Sequence, residues 1–320
     1  MTSAPLLCFS ADRLKIIAWA LRICYNTNRI LLIHWTRPKL LEEFLMPPVG
    51  GFDWRVPEWL AKAAMYSQYE GIILITEDDI RRASATKVKL LKTRYQSFWG
   101  GRWWYDKWLL PGEPAFVEVF THIWHMFFTP AKPVAALIES EMDRMSLVPG
   151  KYASAHVRVL YGLKDRPERI KRNWAINAIN CASQIFPGAP FFFSSDCSNA
   201  TRYAENYVRD DKRGIIGTRR PNPDPPLHID KALQEHRRPA SDYFDIFVDM
   251  YILSMGACVT YNKGYFGLLA STISRNASCS IRQDAIDRPR IHNPCNWTDG
   301  PLIESRERDH SQPLFVEPMH

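Results

Sequence analysis

The segment "KYASAHVRVLYG", Lys151 to Gly162, sets His156 and Arg158 two residues apart inside an otherwise apolar run. In an extended strand that spacing puts both side chains on one face and leaves Ala155, Val157 and Val159 on the other. A buried arginine is seldom tolerated without an anionic partner. Its guanidinium fork matches phosphate oxygens, and the backbone N–H groups of a following helix start add to such a site. Two further runs end in polar groups. "PFFFSSD" closes on Ser194, Ser195 and Asp196, and "ACVTYNK" closes on Thr260, Tyr261, Asn262 and Lys263. In a parallel sheet, ligands bind outside the carboxyl ends of the strands. Three strand ends of this kind point to a nucleotide or another phosphate ligand. The alternative is a structural ion pair at Arg158 beside a satisfied core histidine. Asp196 also has two readings. It could cap the following helix, as Ser198 could, or accept hydrogen bonds from a base edge such as the N1–H and amino group of guanine.

The elements that would carry these residues follow from periodicity. After "LVPGK", the strand "ASAHVRVL" leads into the helix "PERIKRNWAINAINCASQIF", with Pro167 at its start and Pro187-Gly188 at its end. Then come the strand "PFFFSS", the helix "NATRYAENYV", a short strand "GIIGT" and a proline-rich linker "RRPNPDPPLH". The helix "SDYFDIFVDMYILSMG", the strand "ACVTY" and the helix "GYFGLLASTIS" complete the alternation. Strands alternating with helices predict a parallel sheet wound on both sides. Upstream, "ADRLKIIAWALRICYNTN" has a helical period, and "RILLIHW" and "GIILIT" have the length and apolarity of buried parallel strands. "EPAFVEVFTHIWHMFF" through "LIESEMDRMSL" reads as helical, and from Ser280 onward no period is visible. The chain therefore reads as α/β with two lobes: residues 1–148, residues 149–280, and an irregular tail 281–320 that wraps the surface.

Composition bounds the function. The 320 residues are 46% hydrophobic and 23% charged, enough for a substantial core. A balance of 41 Lys+Arg against 34 Asp+Glu gives +7. The basic groups Arg81-Arg82, Arg169 to Arg172 and Arg237-Arg238 are short and scattered. They read as a solvated surface, so no nucleic-acid partner is expected. No run approaches the ~20 apolar residues of a membrane helix, and "TSAPLLCFSADR" lacks the basic region of a signal peptide. Membrane association is expected only through an N-terminal anchor upstream of this sequence. The aromatic stretch "YQSFWGGRWWYDKWLL" could line a sugar-binding wall or simply pack. His122 and His125 sit at i, i+3 without a third ligand, and the 7 cysteines show no metal-type spacing, so no metal is expected. Cys279 and Cys295 could pair in a secretory compartment, and Asn199, Asn276 and Asn296 open glycosylation sequons.

The three strand ends also carry a family resemblance. "HVR" at 156–158, "FFFSSD" at 191–196 and "DMYILSMGACVTYNKGYFGLLAS" at 249–271 resemble the signature regions of the fucosyltransferase superfamily, which includes α1,6-, nodulation and protein O-fucosyltransferases. "CFSADRLKIIAWALRICYNTNRILLIHW" resembles their first loop, helix and strand. The resemblance implies a GT-B-like fold of two Rossmann-like lobes with parallel sheets, the C-terminal lobe holding GDP-fucose. It implies inverting, metal-independent fucose transfer, without a cofactor, to a glycan or protein hydroxyl in the Golgi or endoplasmic reticulum. By position, Arg158 would pair with the donor's β-phosphate, His156 would contact the donor, and Asp196 would lie in the guanine-reading region. Ser194, Ser195, Thr260, Tyr261 and Asn262 would line the donor site, and Arg13 would be the arginine kept from the first loop. Val159 to Gly162 depart from the family's longer motif, as does the loss of the first loop's glycine spacing. These departures argue against an α1,6-type reaction and leave the general base unidentified. Asp165 and Glu168 are the nearest carboxylates past the strand. An inactive GDP-sugar- or glycan-binding relative, or a transferase using another nucleotide sugar, remains the alternative.

Overall fold

The structure, a computed structural model, describes residues 14, 17–35, 38–62, 71–75, 77–81, 89–92, 116–159, 166–211, 214–219, 238–262, 265–274, 280–283 and 295. The fold is α/β and GT-B-like in class, and the chain divides into two compact units. One comprises Met1–Ala131 with His228–Asp242 and Asp309–His320; the other comprises Lys132–Leu227 and Tyr243–Arg308. The division falls ahead of the position near Pro149 that the turn residues suggest. The helix over Lys132–Arg144 packs on a helix of the second unit, and that contact is invisible in local sequence.

In the first unit, helix α1 (Ile17–Thr27) buries Ile17, Ala20 and Cys24. It ends at Asn28, in the left-handed region at φ 49, where the Arg29 N–H reaches back to the Cys24 carbonyl. Strand β1 (Ile30–His34) follows. Strand β2 (Leu45–Met46) pairs antiparallel with β5 (Thr129–Pro130). The principal sheet of this unit joins β1 to β3 (Gly71–Ile75) and β3 to β4 (Lys89–Lys92), each pair antiparallel. The expected parallel sheet is therefore not what this lobe contains among the described residues. A short apolar run marks a buried strand but not its direction, which depends on the connection. Between β1 and β3 the described residues hold the turn Leu41–Glu43, strand β2 and the single helical turn Glu58–Ala61, and none of these is a crossover helix of the length that parallel pairing requires. Leu32, Leu60, Ile73 and Ile75 form its buried cluster. Nearby, Trp54 is buried and donates its indole N–H to the Phe127 carbonyl at 2.6 Å.

The helical run expected from Glu113 onward is two helices, α2 (Phe116–Phe127) and α3 (Lys132–Arg144). Pro130 lies in β5 between them, and Pro133 takes a first-turn position of α3 where its missing N–H costs nothing.

The second unit is a doubly wound sheet. Strands β6 (Ala153–Val157), β7 (Phe191–Ser195), β8 (Ile216–Thr218), β9 (Cys258–Tyr261) and β10 (Ser280–Arg282) lie in the order β10-β9-β6-β7-β8, all parallel. Helix α4 (Glu168–Ile185) follows β6, α5 (Ser198–Asp210) follows β7, and α6 (Phe244–Met255) precedes β9. Helix α7 (Tyr265–Ile273) follows β9. One face of the sheet presents Ala153, Ala155, Val157, Phe191 and Phe193 to Trp174, Ala178 and Ile179 of α4 and Ala200, Ala204 and Val208 of α5. Because alternate residues face opposite ways, Ser154, His156 and Ser194 point to the other layer, where α6 and α7 pack.

Strand β10 was not expected. Ser280–Arg282 pairs with Val259–Tyr261, so the second lobe extends into the segment read as an irregular tail. Three residues are too few to register a two-residue period. The cysteine pairing also differs from the expectation. Cys295 is bonded to Cys181 on α4, and Cys279 lies outside the described residues. Spacing in sequence cannot choose between such partners. Cys258 is likewise disulfide-bonded. Among the described residues no helix is long and apolar enough to cross a membrane.

Candidate donor site at the strand ends of the second unit

From β6 the chain winds through α4 to β7 on one side, and it later returns through α6 to β9 on the other. The order reverses between β6 and β9, which makes the carboxyl ends of those strands the switch point where such sheets bind ligands. His156 and Arg158 end β6 there. His156 is in register with Tyr261 on one side and Ser194 on the other, so one level of the sheet carries Tyr, His and Ser side by side.

Arg158 is held through both its side chain and its backbone. Its Nε lies 3.1 Å from Asp196 Oδ2, with the two side chains 11% and 7% exposed. Asp196 Oδ1 accepts the Val159 N–H at 2.7 Å, so each oxygen of this carboxylate has a partner across the β6–β7 gap. Asn262 clasps the Arg158 backbone: its Oδ1 accepts the Arg158 N–H at 2.7 Å, and its Nδ2 donates to the Arg158 carbonyl at 3.2 Å. Ser195 donates its hydroxyl to the Val157 carbonyl at 2.8 Å and accepts the Cys197 N–H at 3.2 Å. The buried Arg158–Asp196 pair is thus fixed by neutral hydrogen bonds on both flanks, which a desolvated ion pair needs to be tolerated. The Asp196 contact engages the Nε–H, one of the five guanidinium donors.

His156 is 3% exposed, and its Nδ1 has no hydrogen-bond partner. Burial, reinforced by the nearby Arg158 charge, pushes its pKa down from 6.5 to about 3, so the imidazole is neutral. The ring packs 5.1 Å from that of Phe266. A Cβ on Gly267 would stand 2.9 Å from His156 Nδ1 and 2.4 Å from Tyr261 Cβ. Gly267 is therefore the residue that lets α7 close over this end of the sheet.

These contacts gather six of the residues singled out in the sequence, Arg158, His156, Ser195, Asp196, Tyr261 and Asn262, at one switch point. Ser194 lies beside them but donates its hydroxyl to Asp249 Oδ2 at 2.7 Å. Thr260 is fully buried within β9, in register with Ala155, one pair below the strand end. Arg13, Lys263 and Asp165 lie outside the described residues, as does the whole aromatic stretch around Gly100. Asp196 is not a helix cap: the N-cap of α5 is Cys197, and no side chain caps that end.

Sequence reasoning missed Gln283 and Arg219. Gln283, just past β10, donates its side-chain amide to the His156 carbonyl at 2.9 Å. Arg219, at the end of β8, bridges Asp249 at 3.3 Å and also pairs with Asp245, both on α6. Burial raises the Asp249 carboxyl above its ordinary range, with the Arg219 guanidinium pulling the other way. An arginine directly after a strand, ahead of a helix with acidic residues in its first turns, is the signal that could have found Arg219. Glu168 accepts hydrogen bonds from Lys171, Tyr203 and Asn199, which hold its carboxyl down to about 2. Among the described residues no three His, Cys, Asp or Glu side chains group as a metal site would require.

No protein-family model and no curated protein matches the sequence. Among solved structures, an arginine-to-lysine mutant of Arabidopsis thaliana FUT1, a fucosyltransferase, in complex with GDP is similar to this chain, with a TM-score of 0.52 at 12% identity. The match covers 88% of this chain and 68% of that one. At that identity the likeness is one of fold.

Proposed function

We propose that the chain is a glycosyltransferase that binds a GDP-sugar at the switch point of its second unit, and that the sugar is fucose. The observation that carries this reading is the convergence of Arg158, Asp196 and Asn262 from three strand ends, with Arg158 held at the mouth of the sheet. The fold likeness to a GDP complex and the three short motifs support it.

In the proposed reaction the acceptor oxygen attacks C1 of the sugar from the face opposite the diphosphate. The C1–O bond to the diphosphate breaks, GDP leaves with the electron pair, the new C1–O bond forms to the acceptor, and the acceptor hydroxyl's proton is released to solvent. Negative charge grows on the diphosphate as C1 becomes cationic. Arg158 supplies a fixed positive charge at that point, and a cation already oriented by Asp196 and Asn262 needs no reorganisation. No metal step is invoked. Neutral His156 would act as a hydrogen-bonding and packing contact to the donor, not as an acid or base. The acceptor is a glycan or protein hydroxyl, and the Cys181–Cys295 disulfide supports an oxidising compartment such as the Golgi or endoplasmic reticulum lumen.

One observation favours a second reading, a GDP-sugar binder that does not transfer. Glu168, the described carboxylate nearest the strand end in sequence, is held ionised to about 2 and is a poor base.

A thermal-shift panel of GDP, UDP, ADP and GDP-fucose, followed by GDP release, separates the readings. The transferase should be stabilised by GDP and GDP-fucose and release GDP slowly without acceptor. Stabilisation without release would favour the idle binder, and no response to any nucleotide would defeat both. Arg158→Ala should lower release by about 10²–10³-fold. It also takes the Arg158 counter-charge away from the buried Asp196 carboxylate. Arg158→Lys, which keeps the charge but loses the fork, is therefore the folding control.

A further inference from the structure

Glu168, in the first turn of α4, accepts hydrogen bonds with both carboxylate oxygens. Lys171 Nζ reaches Oε1 at 2.7 Å, Asn199 Nδ2 reaches the same oxygen at 3.0 Å, and the Tyr203 hydroxyl reaches Oε2 at 2.8 Å. Lys171 is itself buried. Asn199 and Tyr203 belong to the first turns of α5, so Glu168 joins the starts of the two helices that follow β6 and β7. The ends of those two strands are joined separately, through Asp196 to Arg158 and Val159, and through Ser195 to the Val157 carbonyl. The two strand-to-helix connections are therefore linked at both ends. Asn199 lies three positions after Asp196, and only Asp196 and Cys197 stand between the end of β7 and the start of α5.

We propose that Glu168 is a positioning residue for the Arg158–Asp196 pair, acting by tying the first turn of α4 to the first turns of α5. Its effect on turnover rests on the transferase reading of Arg158, whereas its effect on the geometry of the two connections does not. If the tie is cut, α5 keeps its apolar packing but loses the polar link of its first turns to α4, and the carboxylate that orients the guanidinium is held less tightly. The chemistry of Glu168 sets it apart from a base: both oxygens accept from donors that favour the anion.

Hydrogen exchange and kinetics test this on the full chain. The Val159 amide is protected by Asp196 and the Cys197 amide by Ser195, so both report the strand-end geometry without any ligand. In Glu168→Ala both amides should exchange about tenfold faster than in the wild type, with core amides of β6 unchanged. In Glu168→Gln, which keeps an acceptor for Lys171 and Asn199, most of that protection should return. GDP release should follow the same order, with the midpoints of its pH profile unmoved in either variant. Unchanged exchange at Val159 and Cys197 in Glu168→Ala overturns the proposal. So does a Gln variant as inactive as the Ala variant with one limb of its pH profile gone, since that is the behaviour of a general base. Tyr203→Phe, which removes one donor and leaves the carboxylate, should show an intermediate exchange rate. If the wild type binds no nucleotide, the transferase reading fails, and the exchange comparison alone still decides whether Glu168 ties the two connections.

Discussion

His156 has a consequence for stability as well as for chemistry. Its folded-state pKa lies near 3 and its unfolded value near 6.5, so between those limits the unfolded chain takes up a proton that the folded chain refuses. The stability it permits is complete above about pH 6.5 and falls as the pH drops through that window. Thermal melts should therefore show a lower midpoint at about pH 5 than at about pH 7.5. His156→Gln should shrink that difference, and equal pH dependence in the two proteins would show that His156 is not its source. At this scale the sequence was informative about residue types and silent about partners. "HVR" and "SSD" exposed Arg158 and Asp196, but only the parallel pairing of β6 with β7 makes them an ion pair. Both ends of the Asn262 side-chain amide hold the Arg158 backbone, a partner that its place after β9 does not reveal. Gln283 was illegible because it reaches His156 across a strand that local pattern did not reveal.

Among the elements, α7 is held against the strand ends by one glycine. With a Cβ at position 267, the backbone-attached Cβ of Tyr261 would be only 2.4 Å away, and neither group can rotate aside. Gly267→Ala should therefore cost about 1–3 kcal/mol, read as a lower urea midpoint at unchanged slope. A variant as stable as the wild type would mean that α7 can retreat from β9. The long alternating elements β6, α4, β7, α5, α6 and β9 were legible because each supplies a full apolar stripe or run. Boundaries set by tertiary contact were not. The separation of α2 from α3 at β5 and the addition of β10 both depend on pairing with distant strands. The direction of β1 and β3 depends in turn on a connection that apolar runs do not encode.

On the scale of the molecule, the second unit is fastened through helix α4. The Cys181–Cys295 bond spans 114 residues and ties α4 to a point beyond β10. Closing so long a loop restricts the unfolded chain, and removing such a bond costs about 2–5 kcal/mol. Cys295→Ser should lower the thermal midpoint by several degrees, and Cys181→Ser should match it. A double variant no worse than either single one would identify the pair as the cause. Unequal single-variant effects that add in the double would argue that the two cysteines act separately.

The parallel sheet is also narrow at its flanks. β8 and β10, its outermost strands, are three residues long each, against five in β6 and β7. On the β8 side, Arg144 donates to the Thr218 carbonyl at 2.8 Å, so one of the few outward backbone acceptors is already occupied from α3. A neighbouring molecule seeking to extend this sheet finds almost no ladder to template on. Growth of this sheet by edge-to-edge pairing is therefore disfavoured by its own layout.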